Sequence, residues 1–266
     1  MLIAEIFWNV NPEIIKLGPF SLRYYGSLFA LGFVFGYIIL AKIFKEEKRP
    51  ESDIERVSLY VIIGSVIGAR LGHCLFYNPT YYLTNPFEII KVWEGGLASH
   101  GGAIGILIAL YLLSKKMKGV SMLWILDRLV IVVALAATLI RLGNLFNSEI
   151  IGTPSNLPWA FVFARIDNVP RHPAQLYESI FYFISFIVLF FTYKKFRGKL
   201  KTGFLFGLFL ILIFGFRFFV EFVKVEQADF EKGLMLDMGQ FLSIPFVAAG
   251  LYFMFRKKEE IVRKQK

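Results

Sequence analysis

Charge is scarce in this 266-residue chain: only 19% of its residues are charged, against about a quarter in an ordinary soluble domain. Cysteine is nearly absent. The single Cys74 excludes an intramolecular disulfide and any multi-cysteine metal site. It lies among apolar residues, which disfavour the reactive thiolate, so packing is its expected role. The first twenty residues lack a basic n-region and carry Glu5 and Glu13, so a cleavable signal peptide is not expected. They read as a short amphipathic segment on the outer surface, with Trp8 at the headgroup level.

What the chain has instead is apolar length. Hydrophobic residues make up 56% and aromatic residues 17%, with 30 phenylalanines. The apolar residues fall in blocks of about 17 to 22, the length a helix needs to cross a bilayer. In hydrocarbon every backbone polar group must be satisfied within the segment, which selects helices. Seven spans fit: 22–44, 57–77, 97–114, 122–143, 174–193, 203–223 and 239–255. The expected fold is all-α, a polytopic membrane protein of about seven transmembrane helices, organised as one membrane domain over 1–266. The connections 78–96 and 144–173 are long. The latter, broken by Pro154, Pro158, Pro170 and Pro173, is the candidate extracytoplasmic head.

A net charge of +10 could indicate nucleic acid, but most of the 30 basic residues sit on alternate connections. Lys42, Lys45, Lys48, Arg49 and Arg56 follow the first block, and Lys115, Lys116 and Lys118 the third. Lys194, Lys195, Arg197, Lys199 and Lys201 follow the fifth. Arg256, Lys257, Lys258, Arg263, Lys264 and Lys266 follow the last. The intervening connections carry few, Lys232 among them. This is the positive-inside pattern, so the charge reports topology: N-terminus outside, C-terminus cytoplasmic, and no nucleic-acid partner.

Ionisable residues at membrane depth are costly, roughly 2.5–3.5 kcal/mol for an arginine at the bilayer centre, and so they point to function. Arg70, Arg141, Arg217, Glu178 and Glu221 are of this kind. Arg217 and Glu221, four apart, can pair on one helix face. Pairing does not dispose of all three arginines, and the guanidinium fork suits a phosphate, so an anionic lipid headgroup is indicated. His100 stands in GGLASHGGAIG (95–105), where glycine permits close approach of backbone or ligand. Helix packing explains the glycines but not the imidazole, which can accept a proton near pH 7. Ser99 beside it does not make a nucleophile–base pair by adjacency, because neighbouring helical side chains diverge by about 100°. Asn144, Asn147 and Glu149 follow Arg141 in RLGNLFNSEIIG (141–152), either capping helix ends or binding glycerol hydroxyls. RHPAQLYE (171–178) brings Arg171, His172, Gln175, Tyr177 and Glu178 to the entry of the fifth span. A transporter with arginines lining a path, or an intramembrane hydrolase using Ser99 or Cys74, are the competing classes. The former commonly carries inverted repeats, and none stands out here.

Together with GPFSLRYYG (18–26), GARLGHCLFYNP (68–79), WEGGLASHGGAIG (93–105), FRFFVEFVK (216–224) and MGQFLSIP (238–245), these segments resemble prolipoprotein diacylglyceryl transferase. The resemblance runs nearly end to end, in the family's order. It implies an enzyme of the bacterial inner membrane that moves the diacylglyceryl group of phosphatidylglycerol onto the lipobox cysteine of a preprolipoprotein signal peptide. A thioether forms, glycerol 1-phosphate leaves, and neither metal nor organic cofactor is implied. By motif position, His100 looks like the base and Arg141 like the phosphatidylglycerol-binding arginine. Tyr25, Asn144, Glu149, Arg217 and Glu221 match further catalytic positions. Gly152 and Arg70 fall with the substrate-binding residues. The chain departs from some members at Arg23 (histidine there), Ile213 (a tyrosine proposed to take part in catalysis) and Lys224 (arginine).

Overall fold

The computed structural model describes residues 5–18, 20–92, 95–225 and 236–256. Met1 to Ala4, Pro19, Trp93, Lys232 and the basic residues beyond Arg256, all used in the sequence reading, lie outside the described residues. The chain divides into two compact units, 1–36 with 126–266 and 37–125.

All seven expected spans are helical: α1 (Tyr24–Glu46), α2 (Glu51–Tyr77), α4 (Ser99–Lys116), α5 (Met122–Asn147), α6 (Ala174–Phe196), α7 (Phe204–Val220) and α8 (Met238–Phe255). A short α3 (Pro79–Thr84) and a 3-10 turn, Pro86–Ile90, fold part of the connection that the sequence left irregular. Six of the long helices, among the described residues, are long and apolar enough to cross a membrane. α4 falls short because it opens on Ser-His-Gly-Gly and ends on two lysines. Large apolar side chains such as Ile38, Ile67, Ile108, Phe191 and Leu251 are exposed along the helices. Water would penalise such an exterior, and lipid does not. This is a multi-pass membrane protein.

The N-terminal stretch is where the reading needs correction. It is not a free amphipathic segment. β1 (Ile6–Trp8) joins β4 (Phe161–Phe163) in parallel, and β4 pairs antiparallel with β5 (Pro170–Arg171). β2 (Glu13–Leu17) and β3 (Phe20–Arg23) form a separate hairpin. Trp8 donates its indole N–H to the Leu145 carbonyl at 3.0 Å and packs against Leu145, Phe161 and Phe163. Its amphipathic ring is therefore packed, partly buried, within the first unit.

Within the first unit, α1 approaches α5 where Gly32 faces Ala136. α6 meets α5 through a Ser179 hydroxyl bond to the Thr138 carbonyl (3.1 Å) and meets α7 through the stacked rings of Phe181 and Phe216. α7 and α8 touch where Gly207 and Gly250 bring two backbones together. The start of α7 has no cap of its own: its N-cap is Gly203, which carries no side chain. The buried Asp127 of α5 supplies it, accepting the amides of Gly203 (2.6 Å) and Phe206 (2.9 Å). Helix N-termini leave amides unpaired, and a carboxylate there also meets the positive end of the helix dipole. An Asp127→Ala protein is expected to lose about 1–2 kcal/mol of stability, with Asp127→Asn recovering much of it. Thermal unfolding in detergent measures both, and an unchanged midpoint for Asp127→Ala would exclude the cap.

Within the second unit, Gly64, Gly68 and Gly72 of α2 lie against Gly101 and Gly105 of α4, so close that a methyl group on Gly68 or Gly105 would overlap the facing backbone. In lipid, where apolar side chains gain nothing by leaving the solvent, this backbone approach is what holds two helices together. Of the glycines around His100, Gly101 and Gly105 are accounted for by packing. Cys74 is fully buried, as expected of a packed thiol.

Candidate active site

The ends of α5, α6 and α7 carry a polar cluster inside the first unit. Glu178, one turn into α6, is its centre and is 0% exposed. One carboxylate oxygen lies 3.1 Å from Arg141 Nε of α5. The other accepts from the Tyr182 hydroxyl (3.1 Å) and lies 3.3 Å from Lys224 Nζ. Lys224 also donates to Glu221 at 2.9 Å. A carboxylate taken wholly out of water needs compensation of this kind, and two cations and a hydroxyl supply it.

Arg141 is the partly open member, with 17% of its side chain exposed. Its Nη1 donates to Asn144 Oδ1 (3.3 Å), whose amide donates to Glu149 Oε2 (3.0 Å). The other Glu149 oxygen takes a bond from Asn147 (3.1 Å). The Glu149 amide returns to the Asn144 carbonyl (2.9 Å), and the Glu149 carbonyl takes the Gln175 amide (2.5 Å). Ser148 and Ile150 flank Glu149 at φ 56°. For β-branched Ile150 such a backbone is strained, a cost of order 1–3 kcal/mol that the surrounding bonds sustain. Asparagine and glutamate thus close the end of α5 and simultaneously orient Arg141. The two readings of these residues, helix closure and ligand binding, are compatible.

Tyr25, in the first turn of α1, has its ring against Gly143, beside this arginine–asparagine chain; a side chain at Gly143 would overlap the ring. Gly152 has a backbone reason. It is bridged to Lys224, donates its amide to the His172 carbonyl (3.0 Å), and its missing Cβ would strike the carbonyls of His172 and Val223. It lets three backbone segments meet under the cluster.

The expected Arg217–Glu221 pair is corrected. Glu221 is turned to Lys224, and its carboxylate fits against Gly239 at the start of α8, where any side chain would collide with it. Spacing of four allows a pair but does not force it, because α7 ends at Val220 and Glu221 enters a 3-10 turn. Arg217 keeps a buried Nε with no hydrogen-bond partner among the described residues. Ile213 is buried and apolar, so no hydroxyl stands at that position.

The RHPAQLYE motif works mostly as bracing. Arg171 grips Asp167 through Nε (3.2 Å to both oxygens) and Nη2 (2.5 Å), and this hydrogen bonding holds the Asp167 carboxyl below its usual range. The Tyr177 hydroxyl accepts from Trp159 Nε1 (2.9 Å) and lies within hydrogen-bond distance of His172 Nδ1 (3.2 Å). Burial pushes His172 below its ordinary pKa, which favours the neutral imidazole. Sequence reasoning missed Tyr182, whose signal was its position one turn after Glu178, and undervalued Lys224, one turn after Glu221.

The second unit holds His100 and Arg70. His100, in the first turn of α4, is exposed. It meets Phe76 edge-on (centroids 5.2 Å) and lies 6.1 Å from the Tyr77 ring, with no hydrogen-bond partner among the described residues. Arg70 is buried, and its donors go to backbone carbonyls.

The family model for prolipoprotein diacylglyceryl transferase matches residues 12–256. A relative from Chloroherpeton thalassium, named phosphatidylglycerol--prolipoprotein diacylglyceryl transferase, is 51% identical over 257 residues, covering 97% of this chain and 96% of its own. One of the same name from Tolumonas auensis is 48% identical, covering 97% of this chain and 100% of its own. A third, from Bacteroides fragilis, is 49% identical with 96% of each chain covered.

Proposed function

The chain belongs to the prolipoprotein diacylglyceryl transferase family, and from that premise we propose that it moves the diacylglyceryl group of phosphatidylglycerol to the lipobox cysteine of a preprolipoprotein. The cysteine sulfur attacks the glycerol carbon that carries the phosphate. An S–C bond forms, a C–O bond breaks, and glycerol 1-phosphate departs. The observation that carries the reading is Arg141, held by Glu178 and Asn144 with part of its side chain still accessible.

Charge decides what such a site must do. The phosphodiester has one negative charge, and the departing monoester gains a second. A guanidinium already in place strengthens its hold as that charge grows, lowering the barrier instead of merely tightening lipid binding. Arg217, with an unpaired Nε, serves as a second contact to the phosphate. Glu221 and Lys224 set the charge around it, and Asn144, Glu149 and Tyr25 address the headgroup hydroxyls. A free thiol, pKa about 8.5, is mostly protonated at neutral pH, so a base is needed. His100, exposed and unpaired, takes that proton.

The substrates are phosphatidylglycerol and signal peptides ending in a lipobox cysteine. The enzyme sits in the bacterial inner membrane, with its N-terminus outside, its C-terminus cytoplasmic and the segment 144–173 in the extracytoplasmic head. Purified protein, phosphatidylglycerol and a lipobox peptide are expected to yield a peptide heavier by one diacylglyceryl group in mass spectrometry. His100→Gln should reduce the rate by about 10²–10⁴-fold, the range of a lost general base. An unmodified peptide with the unaltered protein would refute the reaction, and full activity of His100→Gln would refute the base.

A further inference from the structure

Arg70 was expected at a lipid phosphate, yet its side chain faces the connection between α2 and α4. Nη2 donates to the carbonyl of Glu88 (2.6 Å), Nε to Ile89 (2.9 Å), and Nη1 to Gly95 (2.7 Å) and Gly96 (3.4 Å). Its Cζ stands 5.2 Å over the ring of Tyr82. A guanidinium has five N–H donors, so this set nearly exhausts it. A phosphate could bind only by displacing carbonyls that would then be left unpaired.

The carbonyls belong to the chain that enters α4. Gly95 and Gly96 take φ of +90° and +67°, and a side chain on Gly96 would overlap both Arg70 Nη1 and the ring of His73. Two residues on, the Ala98 amide bonds the Ala69 carbonyl (2.9 Å), the residue beside Arg70. Gly101 then lies against Gly72. His73 stacks on Tyr77, which neighbours His100. The entry of α4 is thus tied at successive points to one stretch of α2: among the described residues before Ala98, Arg70 holds the backbone by hydrogen bonds and the His73 ring lies against Gly96.

We infer that Arg70 is a positioning residue: it clamps the carbonyls of Glu88, Ile89, Gly95 and Gly96 and thereby fixes the first turn of α4, which presents His100. The consequence for catalysis rests on the role given to His100 above; the clamp itself does not. Four carbonyls need a planar fork, and a lysine offers one compact charge. Retaining the positive charge is therefore not enough.

The test uses full-length protein in nanodiscs with Arg70→Lys and Arg70→Ala. Amide exchange over 88–100 is expected to rise about tenfold or more in both, with α5 to α8 unchanged, as local opening without global loss. Turnover of a lipobox peptide should fall about 10²-fold, the scale of an ångström-level misplacement. The KM for phosphatidylglycerol should stay within about threefold, because no lipid contact is removed. Unchanged exchange overturns the clamp. A raised lipid KM with unchanged exchange overturns it in favour of a phosphate contact. Should both variants fail to fold, Gly96→Ala keeps Arg70 but pushes the loop off it, and the same rise in exchange is expected. Intact protection there overturns the proposal. If the unaltered protein transfers nothing, the transferase reading fails, while the exchange data still judge the clamp.

Discussion

An Arg141→Ala protein is expected to insert and fold, yet to transfer the diacylglyceryl group about 10²–10³-fold more slowly. The magnitude is that of losing one preorganised donor to a developing anion. Folding survives because Glu178, the partner left behind, still has Lys224 at 3.3 Å and the Tyr182 hydroxyl at 3.1 Å. Asn144 retains its bond to Glu149, so the end of α5 stays closed. Arg141→Lys should recover little. The observed arginine reaches Glu178 with Nε and Asn144 with Nη1, and one ammonium cannot hold both while also facing a phosphate. The measurement is the initial rate of peptide lipidation at saturating phosphatidylglycerol, with unfolding followed in parallel. A rate within about threefold of the unaltered protein would remove Arg141 from the chemistry.

Glu178→Leu is expected to be the most damaging single change to stability, about 3–5 kcal/mol. The leucine fits the volume but leaves Arg141 in a largely buried site without its carboxylate, and Lys224 with Glu221 alone. An uncompensated buried charge costs that much, even where replacing a whole ion pair by apolar residues is neutral. Glu178→Gln keeps an oxygen for the tyrosine and should cost less, though Arg141 loses its counter-charge and Lys224 keeps only Glu221. Unfolding of the two variants in detergent, followed by protease susceptibility, ranks them. Glu178→Leu with the same unfolding midpoint as the unaltered protein would show that the cluster is not held by this carboxylate.

The reach of sequence reading differs between helices and their contacts. Each expected span became a helix, with ends displaced by a few residues, because a bilayer leaves the backbone one economical solution and apolar length records it. The N-terminal strands escaped notice. β1 owes its form to β4, about 150 residues away, and no local periodicity encodes such a partner. α3 and the 3-10 turn were hidden in the same way, since Arg70 holds their connection from another helix.

Which residues are functional candidates was set by the sequence itself: arginines and glutamates in apolar blocks, and a histidine between glycine pairs, are too costly or too particular to be incidental. Who pairs with whom was decided by tertiary structure alone. Arg217 and Glu221 had the right spacing, but Glu221 went to Lys224 where the helix tightened, and Arg141 found Glu178 on a different helix. Arg70, Arg141 and Arg217 look equivalent along the chain. Packing gives one to carbonyls, one to a carboxylate, and leaves the third with an unpartnered nitrogen. Membrane depth makes an ionisable residue conspicuous in one dimension, whereas its partner is chosen by short-range geometry between segments far apart in the chain.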